Sequence, residues 1–407
     1  MNIKNSILFK KKELLNFCIS RFSFGISYSF IIPIIPLFFN SIGLSTINIG
    51  IVMSLYGVSK ALCQMPFGLV SDAIGDKLML IIALTLMVFV PFAYTFASSK
   101  ILASGIYIMQ GAILGMAAPA TFSILSRSLD EEKIGECTGF ASAVFTLGGG
   151  IGAAIGGFIV AKLKNYNMVF YISSVGILLT LIFVTLKIKK DYVKTKKAKN
   201  INLKGKDKSR IKVIIADIKK YKLGCKIIML GAIALLGDFI YGCIVSIFPF
   251  YGQEVLGGTA WYTSAIIAVY LFVFGLFAPL GGWVSDKIGN KKQLFISFIV
   301  MNLALMGLSF VRGIVIFTII IVVYFLGATF LNASLQSLLL KFGENDNIKG
   351  IVFGFVGAAE ATGYALGPIV SAYIYHLNKE WLFIGLLIVS ILVSIIYLLL
   401  CKKSYIE

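Results

Sequence analysis

The stretch Gly68-Leu69-Val70-Ser71-Asp72-Ala73-Ile74-Gly75-Asp76-Lys77 recurs 214 positions later as Gly282-Trp283-Val284-Ser285-Asp286-Lys287-Ile288-Gly289-Asn290-Lys291, with seven of the ten positions identical. Each copy lies between two long apolar segments. A short polar hairpin repeated at about half the chain length means a duplicated membrane bundle. Gly68 and Gly75 permit a tight turn and close backbone approach. Asp72 can face a helix N-terminus, where the partial positive charge favours an anion.

The 407 residues are 58% hydrophobic and only 14% charged, a balance that excludes an ordinary soluble protein. Apolar runs of roughly 20 residues, each long enough to cross a ~30 Å hydrocarbon layer, number twelve. They lie at about 14–39, 46–69, 77–97, 101–126, 135–162, 166–188, 225–251, 259–284, 292–311, 314–341, 349–375 and 379–401. The period-2 alternation of outer-membrane barrels is missing, which leaves helices as the spanning structure. The expected fold is all-α, with twelve transmembrane helices arranged as two six-helix repeats. Residues 1–188 form the N-terminal bundle, 189–224 a basic linker and 225–407 the C-terminal bundle.

The net charge of +19 is concentrated rather than spread. Residues 187–226 hold sixteen Lys and Arg against Asp191, Asp207 and Asp217. Lys4, Lys10, Lys11 and Lys12 precede the first run, and Lys402 and Lys403 follow the last. With twelve spans these regions share one side, and the positive-inside rule makes it the cytoplasm. The charge is thus topogenic, with anionic lipid a possible second partner, and no nucleic-acid partner is expected. Ile211, Ile214, Ile215 and Ile218 fall on one face amid the lysines, the pattern of a helix lying on the membrane. The first run is too long and too polar at Arg21 to be a cleavable signal, so a multi-pass cell-membrane protein with both termini cytoplasmic is expected. Six scattered cysteines without a C-x-x-C pair and the single His376 indicate no metal and no disulfide.

Polar residues inside apolar runs are the candidates for function. In the first run Tyr28 precedes Pro33 and Pro36, which break backbone hydrogen bonds on one side and suit either a hinge or a bent structural helix. Tyr56, Lys60 and Gln64 share one face of the second run by their i, i+4, i+8 spacing. A lysine costs roughly 2.5–3.5 kcal/mol at mid-depth, so Lys60 either looks into the bundle or snorkels to the interface. Tyr107 and Gln110 lie in the fourth run, and Asn332 and Gln336 in the tenth. Asn302, Asn332 and Gln336 suit cavity groups and interhelical hydrogen bonds equally. Asp238-Phe239-Ile240-Tyr241-Gly242 echoes Arg21-Phe22-Ser23-Phe24-Gly25, which makes Arg21 and Asp238 mates across the repeat. Either that pair, or Lys60 with Asp238, is expected to form a charge pair that substrate or proton disrupts. Glu360 lies within about 60° of Gly363 and Gly367 at ~100° per residue, facing the packed interior. A carboxylate withdrawn from water is the kind of group a proton carrier needs.

Two features carry a resemblance. The spacing G-x-V-S-D-x-x-G-x-K resembles the loop between the second and third helices of major facilitator superfamily transporters. Gly148-x-x-x-Gly152-Ala153-x-x-Gly156-Gly157 is similar to the antiporter signature of that superfamily's 12-helix drug:proton exporters, with Ala153 where proline is usual. Gly363-x-x-x-Gly367-Pro368 repeats it 215 residues later. In that family the loop aspartate latches the halves in the outward-open state, and arginine is usual at the positions of Ala73 and Asp76. Lys77, Gly282, Asp286, Gly289 and Lys291 complete the two loop copies. Tyr107 stands where related proton-coupled exporters carry an arginine tied to proton transfer.

The resemblance implies alternating access around a midplane site and a proton gradient as the energy source, with no cofactor. The expected function is proton-coupled efflux of drugs or small amphiphilic molecules by a monomer. Transport of one polar or anionic metabolite held by Arg21 and Lys60 is the alternative. A membrane-embedded enzyme is disfavoured, since Leu235 stands where an intramembrane aspartyl protease needs glycine and H-E-x-x-H is absent.

Overall fold

The computed structural model describes residues 12–127, 134–188, 223–342 and 346–403. The acidic run Asp130-Glu131-Glu132 and the basic linker with its isoleucine stripe lie outside the described residues. The described chain is helical almost throughout. Its first segment is Lys12–Ser29 followed, after a break, by Ile35–Ser41. Then come Thr46–Ile74, Asp76–Tyr94, Lys100–Arg127, Ile134–Leu163 and Tyr166–Lys187 as the second to sixth. The seventh is Leu223–Ser246 with Phe248–Glu254. Ala260–Ile288, Asn290–Phe310, Ile314–Phe342 and Asp346–Leu377 are the eighth to eleventh, and Leu382–Lys403 is the twelfth.

Ten of these segments are by themselves long and apolar enough to cross a membrane. The other two are the first, which is broken and carries Arg21, and the eleventh, whose glycines and Glu360 dilute its apolar character. The break in the first segment falls at the expected prolines, and Pro36 sits in the opening turn of Ile35–Ser41. Pro249 sits in the opening turn of Phe248–Glu254 in the same way. A proline at that position has no amide hydrogen to lose, so it starts a helix where it would interrupt one.

The first six segments and the last six pack by one scheme. The first segment lies against the fifth and sixth, the second and third against the fourth, and the third against the sixth. The seventh likewise lies against the eleventh and twelfth, the eighth and ninth against the tenth, and the ninth against the twelfth. The two sets join along two seams, the second segment on the eleventh and the fifth on the eighth. Small residues make both seams. Gly50 meets Pro368 and Ala372, Gly57 meets Tyr364 and Ala365, and Gly157 meets Ser264. Without side chains at Gly50 and Gly57 the second and eleventh segments approach to backbone contact, the packing that holds helices together in lipid.

Candidate functional site

A connected group of tyrosines fills the middle of the molecule. The hydroxyls of Tyr28 and Tyr56 are 2.8 Å apart. Gln110 donates to Tyr28 across 3.1 Å and accepts from Tyr94 across 2.9 Å. The ring of Tyr107 stacks on Tyr56 with centroids 4.7 Å apart. The Tyr364 hydroxyl lies close enough to act electrostatically on Tyr107. On the other half, Tyr241 lies 5.8 Å from Tyr364 and stacks on Tyr270 at 5.3 Å. A buried phenol needs a partner for its hydroxyl, and here Tyr28, Tyr56, Tyr94 and Gln110 supply one another. The layer therefore crosses from one half to the other through Tyr364.

The charged candidates lie beside this layer. The second segment and the eleventh run antiparallel, with Tyr56 against Tyr364 and Gly57 against Tyr364 and Ala365. One turn further toward the motif end, Lys60 comes opposite Glu360. Asp238 belongs to the same group, since Glu360 and Lys60 act electrostatically on its carboxylate, which acts in turn on Tyr241, Tyr270 and Tyr364. All three charged side chains are half-buried. Lys60 therefore looks into the bundle rather than out to a lipid interface.

Arg21 does not join them. Its guanidinium stacks over the ring of Phe145, 4.4 Å from the centroid. The assignment of Arg21 and Asp238 as repeat mates is corrected by the packing. Gly148 and Gly152 lie on the carbonyls of Phe22 and Ile26, while Gly363 and Gly367 lie on those of Leu235 and Phe239. That register pairs Tyr28 with Tyr241, and it pairs Pro36 with Pro249 at the two breaks. The mate of Arg21 is then Ala234, and the mate of Asp238 is Gly25. The sequence echo is displaced by four residues. Such a shift turns a helix by only about 40°, so both registers present nearly the same face.

The glycine helices are packing surfaces. Gly148, Gly152 and Gly156 press on carbonyls of the first segment, and Gly157 faces Ser264 across the seam between halves. Gly363 and Gly367 do the same on the seventh segment, with Pro368 against Gly242 and Gly50. Any Cβ at the carbonyl contacts would overlap backbone atoms. The remaining polar candidates are less enclosed: Gln64 and Asn332 are half-buried and Gln336 is exposed. Asn302 is structural, donating to Ser394 across 3.0 Å and accepting from Ser390 across 2.6 Å.

At the loop motifs, Gly75 and Gly289 take φ of 96° and 85°, a region that favours glycine, and each ends one helix while opening the next. Asp72 and Asp286 are exposed. The buried positions are Asp76 and Asn290. Asp76 accepts from the hydroxyls of Ser71 and Ser123, and Lys77 donates to the carbonyls of Thr185 and Ile188 at the end of the sixth segment. Asn290 accepts from Ser285. The first copy thus binds the second, third, fourth and sixth segments of its own half together.

The family model described as Major Facilitator Superfamily matches residues 17–348. The chain belongs to the Major Facilitator Superfamily. Among curated relatives it is 23% identical to the multidrug resistance protein MdtG of Salmonella schwarzengrund, over 89% of each chain. MdtG of Enterobacter lignolyticus is 24% identical over 89% of this chain and 85% of that one. Among solved structures, a point mutant of the nucleoside transporter NupG superposes with a TM-score of 0.74 at 13% identity, over 96% of this chain and 99% of that one. A bacterial homologue of the human lysosomal transporter Spinster, in an inward-facing and occupied conformation, gives 0.73 at 14% identity, over 98% of both chains. Both show the superfamily fold.

This superfamily member is thus a multi-pass membrane transporter rather than an enzyme. Sequence reading missed three members of its central layer, Tyr94, Tyr270 and Tyr364. Two signals existed. Tyr270 stands 214 residues after Tyr56, the offset of the loop motif, and Tyr364 lies one turn from Glu360.

Proposed function

We propose that the chain exports small amphiphilic cations and drugs in exchange for protons, the two halves rocking around the central site. The observation that carries this reading is the group Lys60, Asp238 and Glu360 set beside a wall of tyrosines. Two carboxylates against one ammonium leave the group one negative charge when neither carboxylate holds a proton. Aromatic faces attract organic cations and accept apolar bodies of varied shape. A half-buried carboxylate beside them can hold either a proton or a cationic substrate, which is how exchange is coupled. The exposed Asp72 fits a conformation open to the cytoplasm, with the basic flanks on that side. Energy comes from the proton gradient and the working unit is a monomer in the cell membrane. The two MdtG relatives, named for multidrug resistance, favour the same reading.

Transport of a polar or anionic metabolite is the second reading, favoured by Arg21 and Lys60 and by Tyr107 in the family's arginine position. Inside-out vesicles with an acid interior distinguish the two. Cationic and neutral drugs are added to wild type, Asp238→Asn and Glu360→Gln. Proton release that either substitution abolishes supports drug antiport. Silence across the panel, with correctly inserted protein, moves the search to anions.

A further inference from the structure

We infer that Lys60 sets the charge capacity of the central site at a single positive charge, so that the site takes monovalent organic cations in preference to divalent ones. This rests on the proposed export of cationic amphiphiles and adds what selects among them. The geometry is an asymmetry between the halves. Asp238 and Glu360 belong to the seventh and eleventh segments, in the second half of the chain, whereas Lys60 belongs to the second segment, in the first half. The antiparallel seam from Gly50 against Ala372 to Tyr56 against Tyr364 delivers Lys60 opposite Glu360. The lysine is thus a tethered cation that one half extends into an acidic pair of the other.

Other groups around the pair do not alter the count. Tyr241 faces it from the seventh segment, Tyr270 from the eighth and Tyr364 from the eleventh, all neutral near pH 7. Arg21 is turned onto Phe145. With both carboxylates ionised and Lys60 present, the site is one charge short of neutrality. One proton or one monovalent cation closes that gap, and each excludes the other. A dication would leave an uncompensated positive charge in a setting of low dielectric. Like charges placed together in such a site cost several kcal/mol in general.

The test uses purified full-length protein in detergent, checked for monodispersity, with tetraphenylphosphonium as monocation and a bis-quaternary viologen as dication. Wild type is expected to bind the monocation more tightly. Lys60→Gln removes one positive charge and is expected to move the ratio toward the dication by at least about tenfold. Lys60→Arg keeps the wild-type ratio. The double variant Lys60→Gln with Glu360→Gln returns the count to one and is expected to restore monocation preference, an outcome that a merely structural lysine would not produce. If wild type binds the monocation and Lys60→Gln keeps the wild-type ratio, the capacity argument falls while cation export stands. If the single variant does not fold, the double variant decides, and a dication preference there overturns the inference. If wild type binds neither probe, the export of cations falls and the inference with it.

Discussion

The ring of Tyr56 lies 5.8 Å from that of Tyr364, and through this contact the tyrosine layers of the two halves become one. Tyr364 also touches Gly57 and stands 5.8 Å from Tyr241. Aromatic pairs contribute about 0.5–1.5 kcal/mol beyond their buried area. Tyr364→Phe is expected to keep the ring contacts and lose only the hydroxyl, with a small fall in thermal midpoint. Tyr364→Ala is expected to weaken amphiphile binding several-fold, read by equilibrium binding in detergent. Equal effects of the two variants would place the importance in the hydroxyl instead.

Charge exchange tests the register of the site. Lys60→Glu with Glu360→Lys keeps the count and the opposition across the seam, and is expected to retain part of the transport that each single change removes. Arg21→Asp with Asp238→Arg is expected to stay inactive, because Arg21 packs on Phe145 in the first half. Vesicle uptake with the six variants measures both. Recovery by the second swap and not the first would reverse the assignment.

Gly152 and Gly105 form a matched pair of opposite environment. A Cβ at Gly152 would meet the carbonyl of Ile26, whereas one at Gly105 meets nothing. Gly152→Ala is therefore expected to destabilise by about 1–3 kcal/mol, the cost of overpacking. Gly105→Ala is expected to lie between neutral and about 1 kcal/mol stabilising, from helix propensity. Thermal unfolding followed by size-exclusion chromatography reads the contrast. A neutral Gly152→Ala would mean that the first and fifth segments slide apart at little cost.

The two aspartates of the first loop motif should separate in the same assay. Asp76 is buried and accepts from Ser71 and Ser123. Replacing it by Ala leaves two hydroxyls without their acceptor, a loss of about 1–3 kcal/mol. Asp76→Asn is expected to be milder, since Asn290 fills the corresponding place in the second copy. Asp72→Asn is exposed and is expected to leave stability unchanged while altering transport, as a contact made only in another conformation would. A stability loss at Asp72 equal to that at Asp76 would remove the distinction.

How much of this was readable beforehand differs between residue types. The helices, the duplication and the break at Pro33 and Pro36 follow from local properties, namely apolar length, motif spacing and the geometry of proline. Lys60 and Glu360 were found because a charge in an apolar run is costly wherever the run packs. Their opposition was hidden, since it depends on how the second and eleventh segments meet. Arg21 shows the limit most clearly. Its echo with Asp238 is a true similarity of residues, but a four-residue slip keeps nearly the same helical face, and only the carbonyls beneath Gly363 and Gly367 reveal it.

The sequence by itself determined a two-fold repeated helical membrane bundle, its loop motifs and the charged residues inside it, because each is set by residues near one another along the chain. The tertiary structure decided which of those charges share a site, that Tyr364 joins the halves, and that Asp76 rather than Asp72 is the buried acid. Those facts depend on contacts between segments more than a hundred residues apart or on the packing of a turn. Helix periodicity says which way a side chain faces, and only packing says what it meets there.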